Sequence, residues 1–181
     1  VGRLMDGNKA DMVFTDPPYN VGIDYGDKTN DNRDDYKDWS VKWFDNMPDC
    51  LVVFTPGSVN LALWYEIKKP KWLCSWRKSN QCSRSAIGGF NTWEPILVYG
   101  KIIKNVGHDS WDIPVSHEKE NHPVCKTMAA WQNFLEAFSI EKNNILDPFL
   151  GSGSTLIACE KTNRKCYGME IDPHYCDVIV K

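Results

Sequence analysis

Apolar residues in this chain gather into short unbroken runs, and between them they recur every three or four positions. The runs at 11–15 (DMVFT) and 51–55 (LVVFT) have no polar alternation, so they read as strands covered on both faces. Pro56-Gly57 stops the second, and Ser58 is the expected cap of a helix over 59–67. Tyr36, Trp39, Trp43 and Met47 predict a helix over 35–47, and Met128, Trp131, Phe134, Leu135 and Phe138 predict another over 126–139. Further strands are expected at 71–77 and 95–100, with a Gly/Ser/Asn-rich loop between them. Residues 104–122 read as irregular. From 143 the order is strand, glycine turn and helix, then a strand over 165–171 and the start of a last helix. Strands alternating with helices predict an α/β fold with a mostly parallel sheet.

A chain of 181 residues is expected to form a single domain, 1–181, with an ordinary core. Eight Trp, seven Tyr and seven Phe exceed what such a core needs, so some aromatics are candidates for stacking platforms. The net charge of −3 announces no nucleic-acid partner globally; any such contact has to be local. Seven cysteines without a C-x-x-C pair suit neither a disulfide framework nor a zinc site, so reduced thiols in a cytoplasm are expected, and no metal. No signal peptide and no apolar run near membrane-spanning length are present, so the expectation is a protein neither exported nor inserted in a membrane.

Two stretches carry chemistry. At 145–155, ILDPFLGSGST, a strand meets Gly151 and Gly153 and then a helix, the arrangement of a phosphate or cofactor cradle. Glu170 follows Gly151 by 19 residues, where an acid that binds ribose hydroxyls is expected. Leu156 replaces the third glycine of the dinucleotide fingerprint, and no lysine follows as in a P-loop. The turn therefore indicates an adenosine cofactor without specifying it, and a tight ligand-free turn is the plainer alternative.

At 14–20, FTDPPYN, two prolines end a strand directly after an acid. The Asp16 carboxylate and a backbone carbonyl can accept two hydrogens from an amino group on a planar ring, and Tyr19 can stack on that ring. The simpler reading is a proline-stopped loop capped by Asp16.

Taken together these motifs resemble the amino-group DNA methyltransferases that use S-adenosylmethionine, in the motif order of their beta subgroup. Asp16-Pro17-Pro18-Tyr19 resembles the catalytic DPPY motif. Asp147-Pro148-Phe149-Leu150-Gly151-Ser152-Gly153 is similar to the cofactor motif, and Glu170 falls on the ribose-binding acid. His122-Pro123-x-x-Lys126 resembles the HP-x-x-K segment that precedes the cofactor strand, which assigns Lys126 to the methionine end of the cofactor, and Trp93-Glu94-Pro95-Ile96 resembles the segment opening the strand before it. The resemblance implies a Rossmann-like fold with helices on both faces and methyl transfer to adenine N6 in DNA, with cytosine N4 as the alternative. A DNA-binding subunit without turnover is a further alternative, and so is a related enzyme acting on RNA or protein. It also implies DNA as partner, a homodimer as in many relatives, and a bacterial or phage-infected cytoplasm. Only residues 1–10 precede the DPPY strand, where the family usually has another strand, and 181 falls within the helix after Glu170. The expectation is therefore an abbreviated version at both ends.

Six basic residues lie in 68–84 with Trp72 and Trp76 among them, a candidate DNA contact, or else a solvated edge strand. Lys78, Asn80, Gln81 and Arg84 are the candidate DNA-binding residues, and 78–121 is the candidate target-recognition segment. Residues 24–38 are acidic and are expected to form a flexible lid or plain disorder. His117, His122 and Cys125 do not make a metal site, and Trp39 and Trp43 read as core.

Overall fold

Continuous apolar strands form the middle of one sheet in the structure, a computed structural model that describes residues 2–23, 31–84, 88–115 and 127–180. Along the chain the elements are α1 (Gly2–Met5), β1 (Met12–Thr15), α2 (Tyr36–Asp45), β2 (Leu51–Phe54) and, after a 3-10 turn at Ser58–Asn60, α3 (Leu61–Ile67). Then come β3 (Trp72–Arg77), the short β4 (Ser83–Arg84) and β5 (Phe90–Asn91), β6 (Trp93–Tyr99) and β7 (Ser110–Asp112). The chain closes with α4 (Met128–Phe138), β8 (Asn144–Asp147), α5 (Ser154–Lys161), β9 (Lys165–Gly168) and α6 (Pro173–Ile179).

Among the described residues seven strands lie in the order β7-β3-β6-β2-β1-β8-β9, and of these β6 alone runs antiparallel to its neighbours. The mostly parallel sheet expected from the alternation of elements is therefore present. Successive residues of β1 and β2 feed opposite faces. Met12, Phe14, Leu51 and Val53 pack with Trp131, Phe134 and Phe138 of α4, whereas Val13, Val52 and Phe54 pack with Trp43, Phe44 and Trp64 of α2 and α3. Helices cover both faces, as in a Rossmann-like sandwich.

Several expectations change. The stretch 104–122 contains β7, which pairs in parallel with the open edge of β3 and buries Trp111 against Phe134 and Phe138. Three residues are too few for a periodicity to show. Ser58 is not a helix cap: it opens the 3-10 turn, and α3 starts after Asn60 with no side-chain cap bond. The last strand stops at Gly168, because the next residues turn back onto the glycine loop. Residues 2–5 form the short α1, which buries Met5.

Six cysteines among the described residues are free thiols, and burial pushes Cys74 up to about 12 and Cys50 up to about 11. No described helix is long and apolar enough to cross a membrane. Among the described residues no group of His, Cys, Asp and Glu could hold a metal ion; His117, His122 and Cys125 lie outside them.

Candidate functional site

Parallel strands end together, so β1, β2, β8 and β9 bring Asp16, Thr55, Pro148 and Glu170 to one edge of the sheet. Antiparallel β6 starts at this edge with Trp93, and β3 ends there with Arg77. Open α/β sheets bind ligands at such carboxyl ends.

Asp16 follows β1 directly. Its Oδ1 accepts hydrogen bonds from Tyr19 Oη at 2.6 Å and from Thr55 Oγ1 at the end of β2. The Tyr19 ring lies flat on Gly57, where an added Cβ would come within 2.7 Å of ring carbon Cδ2. Gly57 holds φ +72°, a conformation that favours glycine. The carboxylate is thus fixed by two hydroxyls, and the ring by a neighbour without a side chain.

One residue earlier, Thr15 Oγ1 donates to Asp147 Oδ1 at 2.5 Å, linking the ends of β1 and β8 across 132 positions of sequence. Asp147 also accepts from the Phe149 amide at 3.0 Å and from the Thr155 hydroxyl. Enclosure in the protein nevertheless dominates and pushes Asp147 from 3.8 up to about 6.

After Asp147 the chain turns through Gly151 (φ +54°) and Gly153 (φ +92°) into α5. Glu170 braces this turn: Oε2 accepts from the Gly151 amide at 2.7 Å, and Oε1 accepts from the amides of Ile171 and Asp172, each at 2.8 Å. A carboxylate has about four acceptor sites, so a fixed Glu170 keeps capacity for a ligand hydroxyl. It faces a cavity of about 370 Å³ whose wall includes Pro18, Trp39, Phe149 and Ile171. Flat apolar walls with a carboxylate at one end suit a nucleoside.

The far wall comes from a segment whose chemistry spacing does not reveal. Asp31 is 3% exposed, and its carboxylate accepts from the amides of Asn20 (2.7 Å), Val21 (3.0 Å) and Ile23 (3.0 Å). Asn20 and Arg33 exchange two further bonds, Asn20 Nδ2 to Arg33 O and Arg33 N to Asn20 Oδ1. In the acidic segment expected to be a lid or disordered, residues 31–38 are therefore a folded wall continuing into α2; residues 24–30 lie outside the described ones. Trp39, expected in the core beside Trp43, is half-buried and lines the cavity.

The remaining candidates are dispersed. Lys78 pairs with Glu94 at 2.5 Å and sits 4.7 Å from the Trp76 ring. Asn80 exchanges a reciprocal pair of 2.7 Å bonds with the backbone of Val115, so its amide anchors a loop. Gln81 is exposed. Arg84 belongs to β4, and Lys126 is outside the described residues. Phe90 (69% exposed) and Trp93 (39%) are aromatics on this side that sequence patterning did not single out for contact. Thr15, Thr55, Asn20 and Asp31 also escaped, because their partners come from other elements.

A family profile described as DNA methylase matches residues 101–181. The DNA adenine methyltransferase YhdJ of Escherichia coli is 25% identical over 96% of this chain and 76% of its own length. Among solved structures, the M1.HpyAVI–SAM complex superposes with a TM-score of 0.67 at 20% identity, covering 95% of this chain and 88% of that one. The cytosine-N4-specific PvuII DNA methyltransferase superposes with a TM-score of 0.68 at 15% identity, covering 94% and 78%. At these identities the two structures speak for the fold.

Proposed function

Because the chain belongs to the amino-group DNA methyltransferases, we propose that it transfers a methyl group from S-adenosylmethionine to N6 of adenine in DNA. One observation carries this reading: a carboxylate held by two hydroxyls, Asp16, is joined through Pro17 and Pro18 to the wall of a nucleoside-shaped cavity ended by Glu170.

The cavity fits the adenosine part of the cofactor. Glu170 would accept from the ribose hydroxyls, Phe149, Ile171 and Trp39 would flank the adenine, and the amides around Gly151, Ser152 and Gly153 allow close approach. Lys126 is assigned to the methionine end by the family motif alone. When bound, S-adenosylmethionine supplies an electrophilic methyl group on sulfur.

The chain's own residues orient the nucleophile. Asp16 and the Pro17 carbonyl would accept the two amino hydrogens of the extruded base, which directs the nitrogen lone pair at the methyl carbon. Each charge-assisted bond contributes about 1.5–3 kcal/mol. The Asp16 carboxylate would take the proton that the amine releases as the N–C bond forms and the S–C bond to the methyl group breaks, leaving a neutral thioether. The Tyr19 ring stacks on the base.

DNA would lie along the remaining sheet edge, over β6 and β3, where Arg77 and the exposed Trp93 stand. Gln81 and Arg84 stay candidates for contact, within a target-recognition segment at 78–121. For Lys78 and Asn80 the bonds to Glu94 and Val115 favour a supporting role. The aspartate in the motif and the likeness to an adenine methyltransferase support adenine. Cytosine N4 stays the second reading, since the same fold also serves a cytosine-N4-specific enzyme.

The test is transfer of labelled methyl from S-adenosylmethionine to unmethylated duplex DNA, with the product nucleoside identified by mass spectrometry. Label in 6-methyladenine, abolished by Asp16→Ala while the cofactor still binds, is the expected result. Label in 4-methylcytosine would overturn the base assignment, and no label from a folded, cofactor-binding protein would overturn the activity.

A further inference from the structure

Two consecutive carbonyls of the DPPY loop are held by side chains that come from other elements. Tyr36 Oη, at the start of α2, donates to the Pro18 carbonyl at 2.8 Å. Asn60 Nδ2, where the 3-10 turn joins α3, donates to the Tyr19 carbonyl at 2.7 Å. The same amide group lies 3.0 Å from the Pro56 carbonyl and 3.3 Å from Tyr36 Oη. Asn60 is 8% exposed and is not among the residues that line the cofactor cavity. A buried amide costs stability unless its N–H groups are satisfied. Here they are satisfied by the loop itself, by the exit of β2 and by the first turn of α2.

The backbone geometry gives this arrangement a consequence. Donation to the Pro18 carbonyl pins the peptide plane between residues 18 and 19, and donation to the Tyr19 carbonyl pins the next one. The ring of Pro18 fixes its φ, so with the next plane pinned only ψ of Pro18 is left to turn the preceding plane, which contains the Pro17 carbonyl. We propose that Asn60, acting with the Tyr36 hydroxyl, is a positioning residue that sets the direction of the Pro17 carbonyl and of the Tyr19 ring toward the target base. This rests on the methyl-transfer reading for its meaning in catalysis, but the clamp itself is a structural statement.

The full chain carrying Asn60→Asp keeps the shape of the side chain and loses the donor. Carbonyl 13C resonances of Pro18 and Tyr19 report the bonds directly, and steady-state methyl transfer with calorimetric cofactor binding reports the outcome. The expected result is an upfield move of the Tyr19 carbonyl and a kcat roughly tenfold to a hundredfold lower, the scale of a small misplacement at a reacting centre. Cofactor affinity stays within about twofold, as for a residue outside the cavity. If Asn60→Asp does not fold, Tyr36→Phe, at a residue that does line the cavity, supplies the carbonyl-resonance comparison at Pro18 alone, and cofactor affinity is a criterion for Asn60→Asp only. Unmoved carbonyl resonances would overturn the proposal, and so would a cofactor affinity that falls in step with kcat. If the parent protein transfers no methyl, the proposed function falls, and the carbonyl resonances still decide the clamp.

Discussion

Asp147 ends β8 with its carboxyl group enclosed, and burial pushes it from 3.8 up to about 6 against the pull of Thr15, Thr155 and the Phe149 amide. An acid that holds its proton more tightly in the folded than in the unfolded state destabilises the fold as pH rises. Below about pH 4 both states keep the proton, and Asp147 adds no penalty. Between about 4 and 6 the unfolded chain ionises first and stability falls. Above about 6 the full penalty is present. At about 1.4 kcal/mol per tenfold change in equilibrium, that penalty is about 3 kcal/mol.

Asp147→Asn removes the titration at nearly constant size. Its carbonyl can still accept from Thr15 and Phe149, while its amino group has to donate to the Thr155 hydroxyl. The difference in unfolding free energy, variant minus parent, should therefore move in the variant's favour by about 2.4 kcal/mol between pH 4 and pH 7. Carboxylates not coupled to Asp147 titrate alike in both proteins and cancel in the difference; the nearby charge of Asp16 is the least of the causes acting on Asp147. Urea unfolding followed by tryptophan fluorescence at four pH values measures it. A difference constant within about 0.5 kcal/mol across that range would refute the reasoning. A move in the opposite direction would mean that the hydrogen bonds outweigh burial.

Two further substitutions probe the same edge of the sheet. Thr55→Val deletes the hydroxyl that donates to Asp16 Oδ1; kcat should fall about tenfold with cofactor affinity unchanged, measured by labelled transfer and calorimetry. Gly57→Ala drives a Cβ to within 2.7 Å of the Tyr19 ring and forces a side chain to φ +72°. Urea unfolding should show a loss of roughly 1–3 kcal/mol, accompanied by lower turnover.

What the sequence made legible follows the range of each signal. Continuous apolar runs mark strands covered on both faces, and LVVF and MVF became β2 and β1 with every residue buried. Proline and glycine punctuation marked where the strands stop, and so located Asp16 and the Gly151–Gly153 turn. Contacts between elements carry no such local signal. Thr55 meets Asp16 from 39 positions away, and Asn60 meets Tyr19 from 41, because β1 lies beside β2. The pairing of Lys78 with Glu94 arises where β3 and β6 run antiparallel, so a basic run that reads as a DNA contact in sequence is partly neutralised in space. Trp39 shows a subtler failure. Helical spacing identifies the face of α2 that turns inward, but that face spans both the core at Trp43 and the cavity wall at Trp39.

The position of β1 in the sheet explains why the two motifs need each other. It lies between β2, which supplies Thr55 to the carboxylate, and β8, whose Asp147 accepts from Thr15. Consecutive residues of one strand end thus have different partners: Thr15 fastens β8, and Asp16 is the carboxylate proposed to accept from the target base. Because Thr15 and Asp16 share one peptide unit, a shift of β8 against β1 would carry Asp16 with it. The Thr15–Asp147 bond, with the β1–β8 pairing, therefore sets the distance between the cavity and the Asp16 carboxylate, on which the proposed transfer would depend steeply. Motifs separated by 132 residues can form one site because the sheet makes them neighbours, with one hydroxyl holding the two strand ends in register.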